Sequence, residues 1–276
     1  QMCIRDRVKA FQNALGESIG HIGEKELDIC FYKAKAQALD GKTKDALATY
    51  DAIIKYNKDA RAYYLRGDLY MDMGEEKKGK ADFESAVQHG KKNYEIYIGI
   101  YESLSRHEKK DEGQKYLSAA MEIKGDKPED ELYKGRISYL LGENKDAISY
   151  LEKAKEHKQM LASYYLGLAY DANGDSDKAK KCIAEYIKSG VATSYDLYEL
   201  GMQEMQDGNY KNALTYFNSG LELEKVPNKQ NLMKSAIAAY EYSGDFDSAK
   251  KMMKEYLKAY PDDEEAKHEN TFLETR

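Results

Sequence analysis

The feature that most constrains the fold of this chain is a repeat of roughly 34 residues. Each repeat carries a small or helix-compatible residue and, usually 12 residues later, an alanine or glycine. A large apolar residue follows four residues after the second position, and a further apolar or small residue comes three later. This i, i+4, i+7 spacing predicts one buried stripe of an α-helix. The first series is Ala34, Gly67, Gly99, Gly135, Gly167, Gly201 and Ile237, and the second is Ala46, Gly79, Gly113, Ala147, Ala179, Ala213 and Ala249.

A glycine between the two positions predicts a tight turn in all repeats but the third. Glycine adopts the left-handed backbone that ends a helix at low cost, so each repeat is predicted to be helix, turn, helix. The third repeat lacks this glycine and has two extra residues within 105–113. We therefore predict that its internal connection is longer than the others. The turn glycines are Gly41, Gly74, Gly142, Gly174, Gly208 and Gly244.

The repeats predict a chain of stacked units with a cap at its end. A single helix pair cannot bury its apolar stripe, so neighbouring pairs must cover one another. Residues 8–26, with Phe11 and Leu15 spaced by four, are interpreted as the remnant of a preceding repeat or an N-terminal cap helix. The charged segment 263–276 is predicted to be a C-terminal capping helix. The seven predicted repeats are 27–59, 60–91, 92–127, 128–159, 160–193, 194–229 and 230–262.

Composition agrees with a packed helical protein and excludes several other classes. The 276 residues are 42% apolar and 33% charged, which is enough for a core, and three prolines leave room for uninterrupted helices. No apolar run is long enough to cross a bilayer. The 43 basic and 49 acidic residues give a net charge of −6, so nucleic acid is not an expected partner. Three cysteines are too few for a disulfide scaffold.

Residues 1–7 do not continue the periodicity of the chain. The peptide from Met2 to Asp6 can be back-translated into the mosaic-end sequence of a transposase library adapter. We therefore expect this segment to be an artefact of read-through and the natural start of the protein to be missing. The compartment then cannot be inferred from the lack of a signal peptide.

The whole pattern resembles the tetratricopeptide repeat. The period, the small residue of the first helix, the tyrosines three residues after it (Tyr70, Tyr170 and Tyr240) and the repeat ending at Pro261 all match. The resemblance covers about 235 residues, from 27 to 261. The sequence differs most from the family pattern in the third repeat and at Ile237. It implies an all-α fold, a right-handed superhelix of about seven helix–turn–helix repeats.

The resemblance also implies a ligand site on the concave face, formed by the first helix of each repeat. A protein or peptide segment is the expected partner, and tyrosine suits it because the ring buries a large area at low entropic cost. Mixed charges at these positions do not support a clamp for a peptide carboxylate, and Lys234 and Glu241 extend the face into the last repeat. The predicted groove residues are Phe31, Lys35, Arg61, Tyr64, Asp68, Ile96, Leu132, Arg136, Tyr139, Tyr164, Leu168, Tyr195, Tyr198 and Met202.

The C-terminal sequence and the segment 61–83 are similar to tetratricopeptide lipoproteins of Clostridia-type gut bacteria. This resemblance implies a monomer in the cell envelope, attached to the membrane only through a lost N-terminal lipid anchor. One alternative is a cytoplasmic regulator that senses a peptide. Another is a cell-wall glycan binder that uses the tyrosines.

No catalytic or metal site is predicted. The segment from Gly74 to Lys80 approaches a phosphate-binding loop, but Ala81 stands where Ser or Thr is required. The acidic run from Asp171 lacks the glycine and glutamate of a calcium loop, with Ser176 and Cys182 in their places. The five histidines are isolated. We therefore expect a non-enzymatic protein without a cofactor.

Overall fold

A computed structural model describes residues 23–125 and 127–276. Within these residues the chain forms fifteen α-helices and no strand. The first and second helices of each repeat are called the A and B helices. The bounds are α1 Glu24–Leu39, α2 Thr43–Asn57, α3 Ala60–Asp72, α4 Glu76–His89, α5 Tyr94–Arg106, α6 Lys110–Met121, α7 Pro128–Leu141, α8 Asn144–Glu156, α9 Leu161–Ala172, α10 Ser176–Lys188, α11 Ser194–Gln206, α12 Tyr210–Leu221, α13 Lys229–Tyr242, α14 Phe246–Ala259 and α15 Glu264–Glu274.

The helices form two compact parts that divide after Ser176. In the N-terminal part, the A helices α1, α3, α5 and α7 each pack on their B helix, and pairs of A helices from adjacent repeats also touch, as α3 does with α5 and α7 with α9. In the C-terminal part, α11 to α15 pack in chain order, and α11 contacts α13. Helices packed as consecutive pairs are the arrangement of the tetratricopeptide-repeat fold, as the sequence predicts.

Small residues on most of the A helices let the two helices of a repeat approach closely. A Cβ atom on Gly67 would lie 2.9 Å from the Phe83 ring and 3.0 Å from the Gly79 carbonyl oxygen. Phe83 is fully buried, so this glycine makes room for the largest side chain of its B helix. The A-helix small residue and the B-helix large residue are therefore one packing unit, which explains their fixed spacing.

The predicted turn glycines end the A helices. All six have a positive φ, between 73° at Gly41 and 83° at Gly142 and Gly174, where a side chain would be strained. Asp245 then caps α14, because its carboxylate accepts a hydrogen bond from the Ser248 backbone N–H at 3.1 Å. The predicted helix–turn–helix unit is confirmed at these positions.

The prediction of a longer connection in the third repeat is wrong. Residues 107–109 join α5 to α6, and other A–B connections also have three residues, such as 73–75. Glu108 adopts the left-handed conformation (φ 60°) in place of the missing glycine. The residue that faces Gly113 is Tyr101, whose ring a Cβ on Gly113 would approach to 3.0 Å. Tyr101 and Gly113 are thus separated by the usual 12 residues. The register predicted from Gly99 was wrong by two residues.

The two ends of the chain differ in what the structure describes. The predicted artefact at 1–7 and most of the segment 8–26 lie outside the described residues, and α1 already begins at Glu24. At the other end, α15 buries Ala266 and Leu273 against Met253 and Tyr256 of the last repeat. No helix in the described ranges has the length and apolar character needed to cross a membrane.

Candidate functional site

Three of the predicted groove residues lie in the core. Phe31, Ile96 and Leu132 are 5%, 3% and 8% exposed. Phe31 packs against Ala62 of the next repeat, and Ile96 lies among Phe83 and other buried side chains. These residues offer no surface to a ligand, which corrects their placement in the groove. For Ile96 the reason is the register error in the third repeat.

The other predicted groove residues remain partly accessible. Lys35, Arg61 and Tyr195 are exposed, and Tyr195 retains 55% of its surface. Ligand binding by these side chains stays a prediction. The half-buried members are Tyr64, Asp68, Arg136, Tyr139, Tyr164, Leu168, Tyr198 and Met202.

Charges on successive A helices of the N-terminal part are paired with one another. Arg61 on α3 reaches back to Asp28 on α1 at 3.1 Å, and its guanidinium lies 4.3 Å from the centre of the Phe31 ring. Arg106 on α5 bonds Asp68 on α3 at 2.5 Å. Each pair joins two repeats, so these charges are used to hold neighbouring helices.

Arg136 continues this pairing on α7. Its guanidinium is 3.0 Å from Glu102 and 3.4 Å from Glu95, both on α5. The Arg136 side chain is only 18% exposed and also lies over the Tyr165 ring. Glu95, Glu102 and Arg106 were not among the predicted groove residues. Counting the third repeat back from Gly113 would have placed both glutamates on the groove face.

Tyr64 is mainly a packing residue between repeats. Its ring lies over Gly99, where an added Cβ would be 2.6 Å from Tyr64 Cζ. Burial raises the pKa of Tyr64, and the carboxylates of Asp68 and Glu102 raise it further. The absence of a side chain at Gly99 is therefore explained by the ring that it accommodates from the preceding repeat.

Arg66 forms a second, more buried cluster that joins three helices. Its guanidinium makes two hydrogen bonds to Asp82 on α4, at 2.7 and 2.6 Å, and one to Asp51 on α2, at 2.5 Å. The hydrogen bonds to Asp82 are the largest cause of a raised pKa for Arg66. Because Asp82 is buried, this cluster has a structural role.

The C-terminal part contains a cavity in which only Lys234 and Glu241 were predicted from the sequence as groove residues. This C-terminal pocket has a volume of about 470 Å³, is open to solvent and is lined by residues of α13, α14 and α15. Its apolar wall includes Ile237, Met253 and Ala266. A pocket of this size suits one side chain or a small ligand. The cap helix that forms one side of it carries too few periodic residues for the sequence to predict a site there.

The polar groups of the C-terminal pocket are mostly acidic. Lys234 bonds Asp263 at 2.8 Å and is 3.8 Å from Glu265. Burial raises the pKa of Glu241, and the nearby Glu269 raises it further. The Oε1 atom of Glu241 is buried and has no hydrogen-bond partner among the described residues.

One exposed tyrosine lies at the edge of the C-terminal pocket. Tyr242 keeps 68% of its surface, and its ring stacks on Tyr210 with 5.3 Å between centroids. It also lines a second cavity of about 440 Å³ near Gly208 and Asn209.

The part of the chain that the structure describes contains no group of three acidic, cysteine or histidine side chains that could hold a metal ion.

Comparison with known proteins identifies the repeats. Family models of the tetratricopeptide repeat match residues 60–88, 161–189 and 230–263. A solved tetratricopeptide repeat protein from Parabacteroides merdae is 12% identical, with a TM-score of 0.52 over 86% of this chain and 92% of that one. No curated protein sequence matches the chain.

Two other solved structures are similar to this chain. PilW, a widely conserved type IV pilus biogenesis factor, is 18% identical with a TM-score of 0.49, covering 76% of this chain and 97% of that one. The APC/C hetero-tetramer Cut9–Hcn1 is 16% identical with a TM-score of 0.49, and the match covers 99% of this chain and 53% of that one. The matched models and the helix pairs show that the chain contains tetratricopeptide repeats.

Proposed function

We propose that this tetratricopeptide-repeat protein is a non-enzymatic scaffold that binds a protein or peptide segment on the exposed face of its A helices. Folds of this kind typically serve as scaffolds and commonly bind protein partners. The observation that carries the proposal is the exposure of large side chains on A helices, among them Tyr195 at 55% and Tyr242 at 68%, while the apolar stripes of the helices are buried.

The chemistry of this face suits a peptide. An exposed tyrosine contributes a large contact area and one hydrogen bond at low entropic cost. In the N-terminal part the arginine–carboxylate pairs leave a surface of mixed sign, which suits a partner with polar groups of both kinds. These features support a peptide segment over a single small anion.

We further propose that the full-length protein is a lipid-anchored monomer of the cell envelope. The support is the resemblance of its C-terminal sequence to tetratricopeptide lipoproteins. The test is the gene sequence upstream of codon 8 in an intact genome. A signal peptide ending in a lipid-modified cysteine is expected, whereas a DNA-binding helix-turn-helix would favour the cytoplasmic regulator.

The binding function can be tested by selection from a displayed library of random 12-residue peptides against the full chain. We expect saturable binders that protect A-helix segments from hydrogen exchange. Tyr195→Ser should weaken them at least tenfold, and Tyr56→Ser, at a similarly exposed position on the B helix α2, should not. A lack of peptide binders, or protection confined to B helices, would contradict the proposal. Displacement by soluble cell-wall glycan would favour the glycan binder instead.

A further inference from the structure

We infer that the C-terminal pocket between α13, α14 and α15 binds a basic side chain, lysine or arginine, presented by an extended segment of a partner protein. This inference rests on the proposed scaffold function and adds the chemistry of one subsite. Three features of the pocket carry it: uncompensated negative charge, an apolar wall with an aromatic edge, and a neighbouring cavity.

The pocket contains more carboxylates than it neutralises. Its one ammonium, Lys234, is bound to Asp263 at 2.8 Å and reaches Glu265 at 3.8 Å. Glu241 and Glu269 have no such counter-ion among the ion pairs of the described residues. The buried Oε1 of Glu241 also lacks a hydrogen-bond partner there, which is costly for a carboxylate oxygen. A cationic group entering the pocket would supply both a positive charge for these carboxylates and a hydrogen-bond donor for Glu241 Oε1.

The remaining walls match the other parts of a basic side chain. Ile237, Met253 and Ala266 line the pocket and can contact the methylene stem of lysine or arginine. Tyr242 at the edge offers an exposed ring face, and the quadrupole of this aromatic ring attracts a cation. Because Tyr242 is stacked on Tyr210, its ring is held in place before a ligand arrives.

The surroundings favour a chain over a free small cation. Tyr242 lines both the C-terminal pocket and the second cavity at Gly208, Asn209 and Tyr210. Two adjacent cavities that share one exposed ring suit a segment that places successive side chains in each. A free polyamine would use the carboxylates but would leave the second cavity unexplained.

The test is fluorescence anisotropy with the full chain and two labelled peptides. The probe is fluorescein-Gly-Ser-Leu-Arg-Leu-Ser-Gly-amide, and its control replaces arginine by uncharged citrulline. We expect the arginine peptide to bind at least tenfold tighter. Glu241→Gln should remove most of this preference, and Glu255→Gln, on the exposed surface of α14, should retain it. Thermal unfolding of both variants checks that each is folded.

Three results would overturn the inference: no binding of the arginine peptide at millimolar protein, equal binding of both peptides, or an unchanged preference in Glu241→Gln. Displacement by spermidine at lower concentration than by unlabelled peptide would instead indicate a small-cation site. The two proposals fail separately. Library peptides that protect A helices without an arginine preference leave the scaffold function standing and remove the pocket. An arginine probe that binds when no library peptide protects A helices leaves the pocket standing and removes the binding face on the A helices.

Discussion

The A helices of the N-terminal part and the C-terminal pocket use carboxylates in opposite ways. Between α1 and α7, Asp28, Asp68, Glu95 and Glu102 each lie beside an arginine from an adjacent repeat. In the C-terminal pocket, Glu241 lies beside another glutamate and has a raised pKa caused first by burial. These four carboxylates are paired within the fold, whereas one buried oxygen of Glu241 has no partner among the described residues, a property that it shares with Glu131 on α7.

This difference separates structural from ligand-binding charge in a repeat protein. Paired charges between repeats fix how one A helix lies on the next and are already occupied. An unsatisfied buried carboxylate has a cost in stability and gains from an external cation. In the last repeat and its cap, a carboxylate with an unpartnered oxygen also lines a cavity, which makes this region the candidate ligand subsite.

The largest expected effect comes from breaking the most buried arginine cluster. Arg66→Met leaves the buried Asp82 without its bidentate partner and should cost about 3 kcal/mol of unfolding free energy. Arg61→Met is the matched control, because Arg61 and Asp28 are about half exposed and should contribute about 0.5 kcal/mol. Urea unfolding measures both, and equal costs would contradict a structural role for the buried cluster.

A smaller loss is expected from filling the space between repeats. Gly99→Ala places a Cβ against the Tyr64 ring and should cost about 1–2 kcal/mol despite the better helix propensity of alanine. The double variant Gly99→Ala with Tyr64→Leu should recover part of this loss. If Gly99→Ala stabilises the protein in thermal unfolding, the packing of the third repeat is not as described.

Acid should loosen the cap helix. Hydrogen bonds from Lys234, then from Tyr256 and the Ala266 backbone, hold the pKa of Asp263 below its usual range. The stability that this carboxylate contributes is complete above about pH 4 and is lost as the pH falls through the depressed pKa. We expect the protection factors of the α15 amides, taken against the intrinsic exchange rate at each pH, to fall below pH 4, and Asp263→Asn to show low protection already at pH 7. Protection factors in α15 that do not change with pH would refute this.

Much of the fold could be predicted from the sequence because its signals are local and repeated. The spacing of Gly67, Gly79 and Phe83 reflects one packing unit, and the turn glycines have the backbone conformation that made them recognisable. The register of the third repeat was predicted wrongly because Gly99 resembles the small residue that the other first helices carry. It is small for another reason, since it faces Tyr64 from the preceding repeat.

The candidate site was less predictable. Whether a helix-A residue is exposed depends on its neighbours in adjacent repeats, so Phe31 and Leu132 resembled groove residues and are buried, whereas Ile96 was misplaced by the register of the third repeat. The arginine pairs connect residues 33 to 41 positions apart, which no local pattern reveals. The C-terminal pocket depends on how α15 packs against the last repeat, and this packing is not encoded in the repeat itself.

The most direct measurement compares the unfolding midpoints of Asp82→Asn and Glu241→Gln at pH 7. Asp82→Asn should lower the midpoint, because Arg66 loses its buried charged partner and keeps only the exposed Asp51. Glu241→Gln should raise it slightly, because the raised pKa means that the ionised carboxylate is disfavoured in the folded state above that pKa. This gain should vanish near pH 4, where Glu241 is protonated in the native protein as well. A lowered midpoint in both variants would contradict the distinction between satisfied and unsatisfied carboxylates.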